Sequence, residues 1–394
     1  PDEVATYRER YRALVEDLPR LVRDWPEQPL LETDHLGPIP RANVSIKITA
    51  LHERVDPIAT DRVNDELVES LRPILEAAGR HDVLINFDME QHELKDLTLD
   101  LFMRCCEEVD FTAGLAMQAY LRSGEEDAQR IIDWSKRTGR QVTVRLVKGA
   151  YWDFETINAE LLSWPVPVWS RKRDSDASFE RMARRFLAST PRTAGEGGVK
   201  LALGSHNARS IAFTLATAES MGLPRSAVEL QMLHGMADQL KAAVIDMGLR
   251  LREYVPVGDM IPGMAYLVRR LLENTSNESW LRAGFAEDAS VETLLASPHG
   301  DLGTGEDPGV VQLERLPERQ ALTPAVPGVG DGRPFRNEPP RNFGLRRVRD
   351  AFGRAIATAP NLAPATATSD FGAALHAAGS AIGELGALDP VTRG

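Results

Sequence analysis

The sequence predicts an α/β fold carried by a parallel sheet, either doubly wound or closed as a barrel. Seven strand-like runs alternate with helical patterns before residue 295, the rhythm that βαβ crossovers require. Neither a G-x-G-x-x-G nor a G-K-S loop occurs among them, so a nucleotide held by a Rossmann or P-loop fingerprint is not expected. A closed barrel uses eight strands over about 250 residues. Here the count is seven and the chain opens on a helix, so the first strand is expected to be missing upstream of Pro1.

The elements follow in order. The first helix is read over residues 2–23 and stops at Trp25-Pro26, because proline removes a donor and pushes the residue before it out of helical geometry. A Pro-, Glu- and Gly-containing loop leads to Ile39-Pro40. Strands are then predicted at 44–49, 83–88, 113–118, 142–147, 200–204, 229–233 and 251–256. Helical patterns are placed at 61–78, 94–109, 125–138, 154–162, 177–188, 208–221 and 237–247. Composition shifts near 295: residues 296–344 read as a Pro/Gly-rich linker and 345–394 as an Ala-rich tail.

Composition narrows the function. At roughly 150 residues per domain, 394 residues suggest two to three domains. With 43% hydrophobic and 26% charged residues the chain has an ordinary globular composition. The net charge of −12 argues against nucleic acid as a partner. No apolar run approaches the ~18 residues of a membrane span and no secretory signal opens the chain, so membrane contact is at most peripheral. Cys105 and Cys106 are neighbours in a helical pattern, which suits buried inert thiols, a reducing compartment and a cytoplasmic location. A start at Pro1, with no Met, reads as a processed or excised piece.

Strands covered by helices on both faces usually read as unbroken apolar runs. These do not. Val44, Ile46 and Ile48 share one face while Ser45, Lys47 and Thr49 share the other; Asn86 and Asp88 likewise oppose Val83, Ile85 and Phe87. Arg145 lies between Val144 and Leu146, and Gln118, Gln231 and Tyr254 fall near strand ends. An exposed antiparallel edge would alternate in the same way. Across a βα succession, however, an unpaired Lys or Arg inside the sheet costs several kcal/mol. The polar faces must therefore meet one another or a ligand at the C-terminal strand ends, in a charged site suited to an anion.

Two further features are weighed. His206 and His234 follow strands and with Asp88 could form a metal cluster, although no local H-x-H or H-E-x-x-H spacing supports it. Tyr266, Arg269, Arg270 and Glu273 form one helical stripe, with Met264, Leu267, Val268, Leu271 and Leu272 opposite. That is either a solvated charged face or a pair of arginines able to clamp a carboxylate.

Taken together, the motifs resemble the proline dehydrogenase domain of the bifunctional proline-utilisation flavoproteins over about residues 1–295. The resemblance rests on Arg145-Leu-Val-Lys-Gly-Ala-Tyr-Trp-Asp153 and Tyr266-Leu-Val-Arg-Arg-Leu-Leu-Glu-Asn274, joined in order by Lys47 in Ile-Lys-Ile-Thr-Ala-Leu, Asp88-Met-Glu, Gln118-Ala-Tyr, Ser205-His-Asn-Ala, Gln231-Met-Leu-His-Gly-Met and Tyr254-Val-Pro-Val-Gly. It implies a distorted (βα)8 TIM-like barrel with non-covalent FAD at the strand ends and no catalytic metal. It also implies that Lys47, Arg269 and Arg270 hold the carboxylate of L-proline, with Leu233, Tyr254 and Tyr266 about its ring. Asp88, Gln118 and Arg145 would surround the isoalloxazine, Asp88 and Arg145 as the catalytic pair. Met89, Val147, Lys148, Gly149, Ala150, Trp152, Ser205, His206, Asn207, Gln231, Leu233, Glu273 and Trp280 would line the rest of FAD.

The implied reaction is hydride transfer from proline C5 to flavin N5, giving Δ1-pyrroline-5-carboxylate, with electrons passed to a quinone, at most by peripheral contact with the inner membrane. Ser205 and Trp280 stand where the family more often has Thr and Phe, and residues 166–176 keep only the outline of its pattern. Residues 334–343 resemble the stretch leading into a glutamate-semialdehyde dehydrogenase, so the tail 345–394 is expected to be a truncated entrance to that second enzyme. Two other readings compete: a metal-dependent barrel lyase or hydrolase using Asp88, His206 and His234, and a non-catalytic barrel fragment.

Overall fold

The computed structural model describes residues 2–258, 261, 263, 264, 266, 268, 292, 295–299, 340–358 and 376. Helix α1 (Asp2–Val22) packs on α3 (Thr60–His81) with Val15 fully buried. Between them a short helix α2 (Pro29–Glu32) leads into a two-residue hairpin, β1 (Thr33–Asp34) and β2 (Gly37–Pro38). Seven parallel strands follow: β3 (Ala42–Ile46), β4 (Val83–Phe87), β5 (Ala113–Gln118), β6 (Gln141–Val147), β7 (Gly198–Gly204), β8 (Val228–Leu233) and β9 (Leu251–Tyr254). Their crossovers carry α3, α4 (Lys95–Glu108), α5 (Gly124–Thr138), the pair α6 (Trp152–Leu162) and α7 (Lys172–Ala188), α8 (Ala208–Ser220) and α9 (Asp238–Asp246).

Strand order settles the choice between a doubly wound sheet and a barrel. The order runs β3 to β9 without reversal, whereas a doubly wound sheet turns back at a switch point. The sheet is curled: Arg252 of β9 donates to the Arg41 carbonyl just before β3 (3.3 Å), and Tyr254 reaches Asp88 after β4 (3.3 Å). Outward-facing Ile46, Ile85, Phe87, Leu115, Val144, Leu146, Leu201, Leu203 and Leu230 are buried beneath the helices. Phe87 meets Phe102 of α4 edge to face at 5.4 Å, and Phe102 meets Trp134 of α5 at 6.0 Å. With Phe87 turned outward, the two-residue period of the strand turns Asn86 and Asp88 inward.

The predicted elements are present, with shifted ends. Strand 44–49 ends at Ile46, because Thr49 donates through N (3.3 Å) and Oγ1 (2.7 Å) to Glu90 and the chain turns into a 3-10 segment. Strand 251–256 ends at Tyr254, two residues before Pro256, which has no N–H for a ladder. The hairpin falls in what reads as loop. It lies at the N-terminal ends of the later strands, where Asp34 pairs with Lys200 (2.8 Å) and the Thr33 carbonyl accepts from Arg250 (2.8 Å). Cys105 and Cys106 are buried as expected, and burial pushes the Cys105 thiol up to about 12, which keeps it inert.

Residues 157–165 and 314–394 group as a second compact unit. Within it Trp164 Nε1 donates to the Pro340 carbonyl (2.5 Å), and helix α10 (Arg346–Ala357) sets Phe352 edge to face with Phe343 at 5.2 Å.

One buried acid gives the barrel unit a pH dependence. Glu155 is 4% exposed and accepts from the His92 N–H (2.7 Å); burial raises its pKa from 4.5 to about 7. The unfolded chain thus releases this proton at lower pH than the folded one. Glu155's contribution is fully present below pH 4.5 and is lost as pH rises through about 7. Glu155→Gln keeps an acceptor for His92 and removes the titration. The unfolding free energy from urea titration is expected to rise in the variant at pH 8 by an amount on the order of 3 kcal/mol, with little change at pH 4.5. Equal effects at both pH values would refute the assignment.

Candidate active site

The inward side chains converge on Arg145, which β6 presents between two outward apolar neighbours. Its guanidinium donates three ways: Nε to Gln231 Oε1 (2.5 Å), Nη1 to Asp88 Oδ1 (2.8 Å) and Nη2 to Ser45 Oγ (3.0 Å). The Tyr254 ring lies 5.3 Å from it, close enough for a cation–π contact. Arg145 is only 8% exposed, so its charge is compensated by the Asp88 carboxylate and shared among neutral acceptors. Asn86 Nδ2 supports Asp88 Oδ1 (3.3 Å), while the Tyr254 hydroxyl donates to Asp88 Oδ2 (3.3 Å). Both carboxylate oxygens therefore accept. Burial beside Asp88 pushes the Tyr254 hydroxyl well above the ordinary phenol range, so it stays a donor.

The strand ends around this pair carry the remaining groups. Gln118 Nε2 donates to the Glu90 carbonyl (3.2 Å), while its buried Oε1 has no partner among the described residues. Met89 is buried. Lys47, half-buried after β3, has its backbone N–H bonded to the Tyr11 hydroxyl of α1 (3.2 Å), and no described side chain pairs with its ammonium. Burial raises the Tyr11 hydroxyl to about 12, so it too is neutral. Tyr266 is half-buried and stacks on Tyr254, with centroids 6.4 Å apart and planes at 30°. Met264 and Val268, two of the residues that read as the apolar stripe, are 47% and 46% exposed, while Leu267, Leu271 and Leu272 lie outside the described residues.

Val147 at the end of β6 and Lys148 after it are half-buried, and Gly149, Ala150 and Trp152 are exposed. Gly149 has φ +138°, and a Cβ there would stand 2.4 Å from the Tyr120 ring, so only glycine fits. The Lys148 ammonium is paired with Asp176 of α7 rather than with Arg145's partners. Trp152 Nε1 donates to the Trp169 carbonyl (2.8 Å). After β7, Ser205, His206 and Asn207 are half-buried. Asn207 caps α8 by accepting from Ser210 N (3.1 Å), and His206 Nε2 accepts from the Leu233 N–H (3.0 Å).

The suggested metal cluster does not assemble. Asp88 is committed to Arg145 and Tyr254, His206 to a backbone N–H, and His234 to Glu253 (2.7 Å). Among the described residues no group of three His, Cys, Asp or Glu could hold a metal ion. A cationic, aromatic-walled barrel mouth with an unpaired half-buried lysine suits instead a small anionic substrate beside a planar group.

Comparison with known proteins decides the family. A family model described as Proline dehydrogenase matches residues 1–283. The chain belongs to the proline dehydrogenase family. It is 32% identical over 291 residues to the bifunctional protein PutA of Escherichia coli (strain K12), covering 71% of this chain and 21% of that protein. It is 27% identical over 246 residues to Proline dehydrogenase 2 of Bacillus subtilis (strain 168), covering 62% of this chain and 70% of that one. The crystal structure of proline utilization A from Bdellovibrio bacteriovorus, inactivated by N-propargylglycine, superposes with a TM-score of 0.77 at 38% identity, over 91% of this chain and 36% of that one. The chain thus spans about a fifth of the length of the E. coli PutA relative.

Of the residues that the resemblance assigns to the site, the structure brings Asp88, Arg145, Gln231 and Tyr254 into direct contact, with Tyr266 stacked on the last. Arg269, Arg270, Glu273 and Trp280 lie outside the described residues. Sequence reasoning missed Glu229, Arg252 and Glu90. Glu229 stands two residues before Gln231 and Arg252 two before Tyr254, so extending the same period-two face by one step finds both. Tyr11 carries no such signal, because on an amphipathic helix it reads as ordinary core.

Proposed function

We propose that this chain oxidises L-proline with FAD as its cofactor, the observation that carries the reading being the Arg145–Asp88–Tyr254 cluster at the C-terminal mouth of a family-typed barrel. The residues suit a flavin: a buried unpartnered amide oxygen on Gln118 and a cation in Arg145. Bound FAD supplies the acceptor for the hydride leaving proline C5, giving Δ1-pyrroline-5-carboxylate, with a quinone taking the electrons afterwards. Arg145 holds a fixed positive charge where negative charge accumulates during reaction. Lys47, with Arg269 and Arg270, holds the proline carboxylate. Tyr254 and Tyr266 cover the ring with Leu233 and exclude water from it. Asp88 orients Arg145 and Tyr254; with both oxygens engaged it leaves deprotonation of the proline amine to solvent.

The rest of the assigned residues (Met89, Gln118, Val147–Ala150, Trp152, Ser205–Asn207, Gln231, Glu273 and Trp280) line the cofactor in this reading. Residues 1–295 form the FAD barrel, 296–344 a linker and 345–394 the entrance to an aldehyde dehydrogenase domain of the same parent protein. Such an enzyme works in the cytoplasm with at most peripheral membrane contact, and no helix among the described residues is long and apolar enough to cross a membrane.

An absorbance spectrum of the purified chain tests the proposal. Flavin bands in near-equal ratio to protein, bleached anaerobically by L-proline, are expected. A protein that binds added FAD in no detectable amount, or binds it without bleaching, would sink the reading.

A further inference from the structure

Below Arg145 the barrel interior holds a second charged layer. Glu229 on β8 is 7% exposed and lies between two arginines, with Oε1 3.1 Å from Arg252 Nε and Oε2 3.4 Å from Arg250 Nε. Burial works to raise its carboxyl, and Arg252, Arg250 and the Gln231 amide together outweigh that, keeping it below the usual carboxylate range. The period of the strand puts Gln231 on the same face, one step nearer the mouth, with Arg252 as its register partner on β9. Gln231 Nε2 donates to Glu229 Oε1 (2.7 Å), and Gln231 Oε1 accepts from Arg145 Nε (2.5 Å).

This sequence of contacts admits one arrangement. A guanidinium only donates and an ionised carboxylate only accepts, so a group between them must offer an acceptor upward and a donor downward. A primary amide does so in one of its two orientations. Flipped, it would set N–H against N–H at Arg145 and oxygen against oxygen at Glu229, in a site where unmade hydrogen bonds are costly. Glu229 thereby fixes which end of Gln231 faces Arg145.

We propose that Glu229 is a positioning residue for the flavin-facing Arg145, acting through the side-chain amide of Gln231. The inference rests on the flavin reading and deepens it. In Glu229→Gln the neutral partner can donate as well as accept, the Gln231 amide is free to turn, and Arg145 loses its constraint at Nε. The flavin potential measured on the holoenzyme separates this from a plain charge effect by its sign. Removing a buried negative charge through space would raise the potential, whereas a misplaced Arg145 lowers it.

The expected result is a negative shift in Glu229→Gln, in the direction of Arg145→Met but smaller. Gln231→Met should shift it likewise, and the double variant no further than Gln231→Met alone. A positive or absent shift in Glu229→Gln, or additive shifts in the double variant, would overturn the assignment while leaving proline bleaching intact as support for the flavin reading. An unmoved potential in Arg145→Met would take Arg145 off the flavin and the positioning role of Glu229 with it, while the flavin reading stands or falls on proline bleaching. Should Glu229→Gln fail to hold flavin, Glu229→Asp keeps the charge for the arginines, draws it back from Gln231 and is expected to give the same negative shift. If neither variant yields folded flavoprotein, Glu229 is a folding determinant and the positioning role falls.

Discussion

Replacing Arg145 with methionine is expected to lower the flavin potential, weaken FAD retention and reduce kcat by about 10²–10³, the cost typical of losing one preorganised charge-stabilising donor group. The variant removes donors to Gln231, Asp88 and Ser45 together. It also strands the Asp88 carboxylate, 14% exposed at its side chain, with only Asn86 and Tyr254 as donors among the described residues. Breaking one side of a buried pair costs about 3–5 kcal/mol, so stability should fall as well.

The two effects can be separated. Arg145→Met/Asp88→Asn removes the stranded charge, so the urea midpoint should recover while the potential stays low. A redox titration and a denaturation curve on each variant check this. An unchanged spectrum and potential in Arg145→Met would remove the arginine from the flavin site, whatever happened to stability.

Much of this site is legible in the sequence because two periods coincide. Strand alternation turns Ser45, Asn86, Arg145 and Gln231 to one side, and βα succession forces that side to be an interior. Those two facts predict that the polar residues find one another, and Arg145 finds Ser45, Asp88 and Gln231. Periodicity does not say how a pleated sheet ends. Thr49 looks like strand, yet its donors are taken by Glu90, a residue 41 positions away whose role only the closed fold reveals. The hairpin at Thr33–Pro38 was equally invisible, since its two-residue strands are too short to show alternation and are held by Lys200 and Arg250 from distant strands. Tyr11 marks the same boundary. Its helix is plain in the sequence, but a single hydroxyl reaching across to the Lys47 N–H depends on packing of α1 against β3.

Lys47→Met is expected to behave in the opposite way to Arg145→Met, raising the KM for proline about 10- to 100-fold with FAD content, flavin spectrum and potential unchanged. A charge-assisted hydrogen bond to a carboxylate contributes about 1.5–3 kcal/mol, and each 1.4 kcal/mol is about tenfold in affinity. Arg145 has a buried carboxylate for its partner; the Lys47 ammonium has no described side chain as partner, so removing it strands no charge in the protein. Stability should therefore hold or rise slightly, because a half-buried cation without a counter-charge is itself unfavourable. Tyr11 holds the Lys47 backbone N–H (3.2 Å) at the point where β3 gives way to the 3-10 turn, and that contact survives the substitution. The methionine side chain then sits where the lysine stem sat, and what changes is the charge. Steady-state kinetics with L-proline, paired with a flavin titration, give the decisive split. A raised KM with normal flavin places Lys47 on the substrate carboxylate; an unchanged KM, or a loss of flavin in step with activity, would move it off the substrate and onto the cofactor.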